Sequence, residues 1–506
     1  MYDVILLSDT AFLHEFARAA GAYHLSTVLR NKGFKILVID FVSIMSLEQL
    51  EKVISKAMDN NTKMVGVSCS WLPTSTYDFE TDTTGTELNT EGKSNDQWHL
   101  DSVAQILASG KIYKIREVLD KYGTNYKLTV GGAKTMEYAD FDFDHVFVGH
   151  SENQIIDFLN SNNIYPEIPR IIDYDRQAKN GEFVFNSSYI SYVNSDGIHP
   201  DEILSIETSR GCIFNCAFCS YPHKNQKTLD YMKCEETLYR EFMENYERWG
   251  TTRYNIVDDT FNDYTNKLIR IKNVVDRLPF QPAFWAYVRC DLIAAHPEQA
   301  QLLKDIGVKS AIHGFETYSN VTAKAIRKGS VEKKIEGMRI AKEVWQNEVF
   351  LSCMYVVGLP KDNVKDHLDF IDFWNNEGHE FMDNVSAFPF YIKNCGKYSN
   401  LFNPSDIEKD KEKYGYEMIG YKNWIRNDEG DIDSWEKAAL IAEHINKKCK
   451  WKKENNVWNW HPYAVKLGTY DPKTGAIGQP EVRVEATKKW FDEQYYPNLL
   501  RCLDGL

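Results

Sequence analysis

The first 160 residues switch repeatedly between short apolar runs and longer stretches with helical spacing. Val4–Leu7, Lys35–Ile39, Met64–Val67, Lys127–Val130 and His145–Val148 are brief and rich in Val, Ile or Leu, the pattern of strands buried on both faces. Between them, Tyr23–Lys32 and Leu47–Ala57 repeat apolar residues at helical intervals. Strand and helix in alternation predict a parallel sheet with helices on both faces, a doubly wound α/β domain. Such sheets bind ligands at the carboxyl ends of their strands. The loops there begin at Ser8-Asp9-Thr10, Ser68-Cys69-Ser70-Trp71, Gly131-Gly132-Ala133-Lys134 and Gly149-His150-Ser151-Glu152. The polar stretch Thr81–Asp101 predicts a long loop beyond the third strand.

Residues 161–200 are irregular, with Pro166, Pro169 and a strand-like stretch at Phe183–Tyr192, and read as a linker. The alternation then resumes. Strands are expected at Leu204–Thr208, Tyr254–Val257, Ala283–Tyr287, Ser310–Gly314, Leu351–Val357 and Asn384–Pro389. Helices are expected at Glu235–Trp249, Asn266–Arg277, Glu298–Ile306 and Val331–Glu348. Six βα units in about 190 residues fall short of the roughly 250 that an eight-fold barrel needs, so a partial (β/α)6 barrel is predicted. The last part has one clear helix, Ser434–Lys450, among many Trp and Tyr, and reads as a mainly helical cap. The expected division is 1–160 for the sheet domain, 161–200 for the linker, 201–392 for the barrel and 393–506 for the cap.

Composition narrows the function. A chain of 506 residues is too long for a single core, and 43% hydrophobic content excludes wholesale disorder. A formal net charge of −14 argues against a nucleic-acid or membrane-surface partner. The first residues lack a basic region, and nowhere does an apolar run approach the ~18 residues that a membrane span requires. Ten cysteines without paired spacing do not resemble a secreted disulfide framework, so a cytoplasmic location is expected.

The candidate chemistry sits just after the first barrel strand, in Glu207-Thr-Ser-Arg-Gly-Cys212-Ile-Phe-Asn-Cys216-Ala-Phe-Cys219-Ser-Tyr-Pro222. Three cysteines in eight residues can turn their sulfurs to one centre only from a loop, and Gly211 and Pro222 frame one. Three thiolates satisfy three irons of a four-iron cube and leave the fourth open to another ligand. A zinc site wants a fourth Cys or His at metal spacing, and His223 is not at a usual offset.

The C-x3-C-x2-C pattern, with Phe218 before its last cysteine, resembles the signature of the radical S-adenosylmethionine (SAM) superfamily. The N-terminal domain resembles that of its cobalamin-binding branch. The resemblance implies that Cys212, Cys216 and Cys219 ligate a [4Fe–4S] cluster whose open iron binds SAM. It further implies that Phe218 meets the adenine and that Asp259, in Asp258-Asp259-Thr260-Phe261, meets the SAM amino group. Arg289 corresponds to an arginine near the SAM carboxylate, and Gly314-Phe-Glu316-Thr to a Gly-Ile-Glu-Ser segment. Each of these has a plainer alternative: a helix cap for Asp258 and Asp259, a pairing with Asp291 for Arg289, a buried hydrogen-bonding acid for Glu316. Position favours function, because barrels of this kind do chemistry at the carboxyl ends of their strands.

In the N-terminal domain Gly21–Phe34, Val65–Ser68, Val130–Gly132 and Val148–Glu152 resemble segments that surround cobalamin. Ser68, Ser70, Gly131 and Gly132 are the implied binding residues, since paired glycines admit close backbone approach. No D-x-H-x-x-G motif is present, so no lower-axial histidine is expected, and His24 reads as a satisfied helix residue. The implied activity is reductive cleavage of SAM to a 5′-deoxyadenosyl radical, followed by cobalamin-dependent methyl transfer to an unactivated carbon. A radical mutase, cyclase or rearrangement enzyme without methyl transfer is the alternative, with a non-catalytic iron–sulfur protein behind it. The implied partners are a small-molecule or peptide substrate and a flavodoxin- or ferredoxin-type electron donor.

Overall fold

The computed structural model describes residues 1–8, 17–42, 45–68, 111–132, 143–161, 171–173, 188–199, 202–220, 225, 231–392, 404–419, 423–428, 430–449, 470–471, 476–477 and 489–505. Thr81–Asp101 and Ser70 lie outside them. Two six-stranded parallel sheets organise the chain, and two compact units divide it. The first unit comprises Met1–Ser205, Arg240–Thr251 and Gly478–Leu506; the second comprises Ile206–Tyr239 and Thr252–Ile477.

The first sheet is built from β1 (Val4–Leu7), β2 (Ile36–Ile39), β3 (Met64–Ser68), β4 (Lys127–Gly132), β5 (His145–Val148) and β6 (Ile171–Asp173), in the order β2-β1-β3-β4-β5-β6. The four residues of β1, β2 and β5 are all buried, which is why they read as continuous apolar runs. The strand order reverses between β1 and β3, the switch point where such sheets open a crevice. β6 falls in the stretch that reads as linker, pairing with β5 from Val146–Ile171 to Val148–Asp173. Of the strand-like stretch Phe183–Tyr192, residues 188–192 form no strand.

The core of this unit closes around Arg18, which is fully buried. Its guanidinium bonds both oxygens of Glu202, the Tyr23 hydroxyl at 2.7 Å and the carbonyls of Asp196 and Gly197. It also lies over the rings of Phe41 and Tyr495. Phe41 packs on Trp490 and Tyr495 with ring centroids 5.1 and 5.2 Å apart. Residues 490–495 therefore complete the core of the first unit.

The second sheet runs β7 (Leu204–Ile206), β8 (Arg253–Ile256), β9 (Ala283–Val288), β10 (Val308–Glu316), β11 (Phe350–Val357) and β12 (Asn384–Pro389) as successive neighbours. This is the predicted partial barrel. One face of β10 and β11 sends Phe315 and Tyr355 against Phe370 of the helix Val364–Asn376. Along the other face Tyr287, Ile312 and Ser352 are register partners, followed by Gly314 and Met354; the register then shifts, and Glu316 pairs with Tyr355. Tyr287 remains 38% exposed at the middle of the sheet. Trp424 and Trp435 are buried and act as core. Among the described residues no helix is long and apolar enough to cross a membrane.

Candidate functional site: the cysteine loop and the strand ends

β7 delivers the chain directly into the cysteine loop, and the end of β8 holds its entrance. Asp258 is buried and accepts from the amides of Thr208 (2.7 Å) and Ser209 (3.1 Å), and from both of their hydroxyls. Its side chain therefore anchors the loop. The far part of the loop is fixed by Ala217 N–H to Ile326 O (3.0 Å) and Ile407 N–H to Ala217 O (3.1 Å).

All three cysteines carry free thiols; Cys216 is buried and Cys212 and Cys219 are half-buried. Cys212 Sγ lies 3.5 Å from Thr260 Oγ1, and burial raises its thiol pKa. Cys216 Sγ lies 3.8 Å from Arg289 Nη1 and 3.9 Å from the Arg327 carbonyl. Among the described residues no three His, Cys, Asp or Glu side chains are grouped to hold a metal ion. A four-iron cube takes one thiolate per iron, so three thiols on one loop are the donor set it asks for.

Arg289 leaves the end of β9 buried, and Asp291 takes its Nε (3.1 Å) and Nη2 (2.6 Å). Burial pushes the Asp291 carboxyl up, but Arg289 outweighs it and holds the group down to about 2. The guanidinium also lies 3.8 Å from the centre of the Phe214 ring. Glu316, at the end of β10, accepts from Lys328 Nζ at 2.9 Å. That ammonium stands 5.6 Å over the Phe218 ring. The structure thus brings Cys216, Phe218, Arg289, Glu316 and Lys328 together.

Asp259 is half-buried beside Asp258; burial, then the charges of Asp258 and Glu207, push it up to about 7. Between its ordinary value of 3.8 and about 7 the folded apoprotein holds more protons here than the unfolded chain. Stability falls as pH rises across that window and levels off above it. Asp259→Asn removes this slope, so its melting temperature should gain on the unmodified apoprotein from pH 5 to pH 8. Parallel melting curves at the two pH values would refute this.

In the first unit Ser68 and Gly131 are register partners at the carboxyl edge of β3 and β4, and Gly132 pairs with Val148 next to them. Gly132 has φ +132°, a conformation that L side chains rarely adopt. Among the described residues a Cβ on Gly131 would make only an ordinary van der Waals contact, with Phe147 Cβ at 3.9 Å. His24 pairs with Glu152 (Nε2 to Oε1, 3.2 Å).

Sequence reasoning missed Lys328, Thr260 and Lys267. Lys328 lies twelve residues past its partner, beyond an intervening helix, and Lys267 stands in a helical pattern where a lysine reads as solvent-facing.

Residues 206–373 match the model of the radical SAM superfamily. Residues 206–373 thus carry a radical SAM domain, the domain of enzymes that use a [4Fe–4S] cluster with SAM. Among solved structures the chain resembles the radical SAM methyltransferase TsrM from Kitasatospora setae with cobalamin and a [4Fe–4S] cluster bound. The TM-score is 0.57 at 14% identity, covering 82% of this chain and 79% of that one. The cobalamin-dependent SAM radical enzyme OxsB matches with TM-score 0.50 at 14% identity, over 82% of this chain and 56% of that one. At such identities the likeness speaks to the fold. Protein MJ0865 of Methanocaldococcus jannaschii, named as a candidate methylthiotransferase, is 25% identical over 180 residues. The match spans 33% of this chain and 38% of that relative's length.

Proposed function

We propose that this enzyme transfers a methyl group to an unactivated carbon, with cobalamin held by the first unit as methyl carrier. The observation that carries the reading is the edge of the first sheet beside its switch point. There Ser68 is the register partner of Gly131, where a Cβ would meet no described residue closer than 3.9 Å, and Gly132 follows. A corrin needs both a flat approach to backbone and small polar groups for its amides, so these residues fit it. The fold shared with TsrM supports the same reading.

Cys212, Cys216 and Cys219 would hold the cluster, and Phe218, Asp259, Arg289 and Glu316 would surround SAM. Ser68, Ser70, Gly131 and Gly132 would line the cobalamin site. When bound, the cluster would supply the electron for SAM cleavage and cobalamin the methyl group. The protein's own residues orient and charge the site. Arg289, fixed by Asp291, keeps a positive charge against Cys216. Lys328 balances the buried Glu316 beside the Phe218 ring. The electron donor is of flavodoxin or ferredoxin type, the substrate a small molecule or peptide, and the setting cytoplasmic.

Reconstituted anaerobically, the protein should take up cobalamin, visible in its absorption spectrum. Turnover should yield 5′-deoxyadenosine and S-adenosylhomocysteine in similar amounts. 5′-Deoxyadenosine alone, or no cobalamin uptake, defeats the methyltransferase reading in favour of a radical mutase or cyclase. Gly132→Trp should block cobalamin uptake with iron content unchanged. Lys328→Met should weaken SAM binding roughly tenfold or more, because it leaves Glu316 buried without its cation; unchanged SAM affinity in equilibrium binding would remove Lys328 from the site.

A further inference from the structure

Behind the cysteine loop lies a fully buried charge cage on which the reading above makes no demand. Lys267, on the helix Thr265–Val275, has no exposed surface. Its ammonium donates to Ser209 Oγ (2.6 Å) and the Thr260 carbonyl (2.8 Å), and pairs with Asp258 (2.9 Å) and Asp263 (3.3 Å). Each partner leads back to the loop. Ser209 and Asp258 fix the residues just before Cys212. Thr260 places its hydroxyl 3.5 Å from Cys212 Sγ. Asp263 accepts from Tyr231 at 2.7 Å, and the Tyr231 carbonyl holds the Arg210 amide at 2.8 Å.

A buried ammonium is costly unless it is matched, and here one cation faces two carboxylates. One positive and two negative groups leave the cage with one negative charge. The reduction potential of an iron–sulfur cluster responds to nearby charge and to hydrogen bonds on its sulfurs. At a buried site those effects are screened little.

We propose that Lys267 is a positioning residue that both holds the entrance of the cysteine loop and sets the reduction potential of the cluster Cys212 would bind. The proposal rests on the cluster assignment. Lys267 touches neither sulfur nor substrate; it acts through Asp258, Asp263 and Thr260. Removing its charge leaves two uncompensated carboxylates beside the loop, which disfavours adding an electron. Removing one carboxylate does the reverse.

The test is a potentiometric titration of the reconstituted protein followed by electron paramagnetic resonance, with iron and sulfide counted in every sample. Lys267→Met should move the midpoint to more negative potential, and Asp263→Asn to more positive potential. Lys267→Arg should lie closest to the unmodified protein. Opposite signs separate an electrostatic role from simple loosening, which would cost iron without moving the two midpoints apart. Unmoved midpoints, or shifts of the same sign, overturn the proposal. If Lys267→Met does not fold, Asp263→Asn decides alone, and an unchanged or more negative midpoint overturns it. Failure of the unmodified protein to take up iron would instead defeat the cluster assignment.

Discussion

Replacing Cys212, Cys216 or Cys219 by Ala should bring reductive SAM cleavage down to background. A three-thiolate site has no spare ligand, and each sulfur lost frees an iron that the loop cannot hold otherwise. Iron content should fall from about four per chain in the anaerobically reconstituted protein. Cys234→Ala is the control: that thiol is exposed, bonds Thr237 at 3.0 Å and takes no part in the loop. The measurement is 5′-deoxyadenosine formed with dithionite as reductant. Full activity in the Cys216→Ala protein would end the assignment, whatever the outcome for the first sheet.

The second large effect is on stability. Gly337 lies in the helix Val331–Trp345, pressed against the helix Cys290–Ala295. A Cβ there would stand 1.7 Å from the Cys290 carbonyl oxygen and 3.1 Å from the Ala294 amide. Backbone on both sides leaves no flexible side chain to give way. Gly337→Val should therefore cost about 3 kcal/mol, the upper end for overpacking, and lower the melting temperature of the unit. Cys290 directly follows Arg289, so the helix shift should also disturb the Arg289–Asp291 fork and reduce SAM affinity in whatever protein stays folded. A melting temperature within a degree of the unmodified protein would show that the two helices can part without cost.

Much of this architecture is legible in the sequence because its strands are buried on both faces. Val4–Leu7, His145–Val148 and Asn384–Pro389 are found where they were expected. Ile171–Asp173 is not legible: three residues are too few for any period, and only β5 beside them makes them a strand. The cysteine loop is legible because its three ligands are close in sequence. Its supports are not. The sequence leaves Asp258 between a SAM-facing acid and a helix cap, and only the Thr208 and Ser209 amides, reaching it across about fifty residues, make it the anchor of the loop. Lys328 meets Glu316 only because the chain turns back after the helix Asn320–Ala325.

The core around Arg18 and Phe41 has a consequence for how the polypeptide is made. Trp490 and Tyr495 cover Phe41, and the Tyr495 hydroxyl accepts from the Asp40 amide at 2.9 Å. From Ser205, where the first continuous part of that unit ends, to Trp490 is 285 residues (490 minus 205). At roughly 5–20 residues per second a ribosome needs on the order of tens of seconds to cross that interval. Throughout it the nascent first sheet waits with an aromatic face unfilled, able to bind a chaperone or a neighbouring nascent chain. The barrel's own strands emerge during the same wait. On the ribosome, then, the unit that is translated first is completed last.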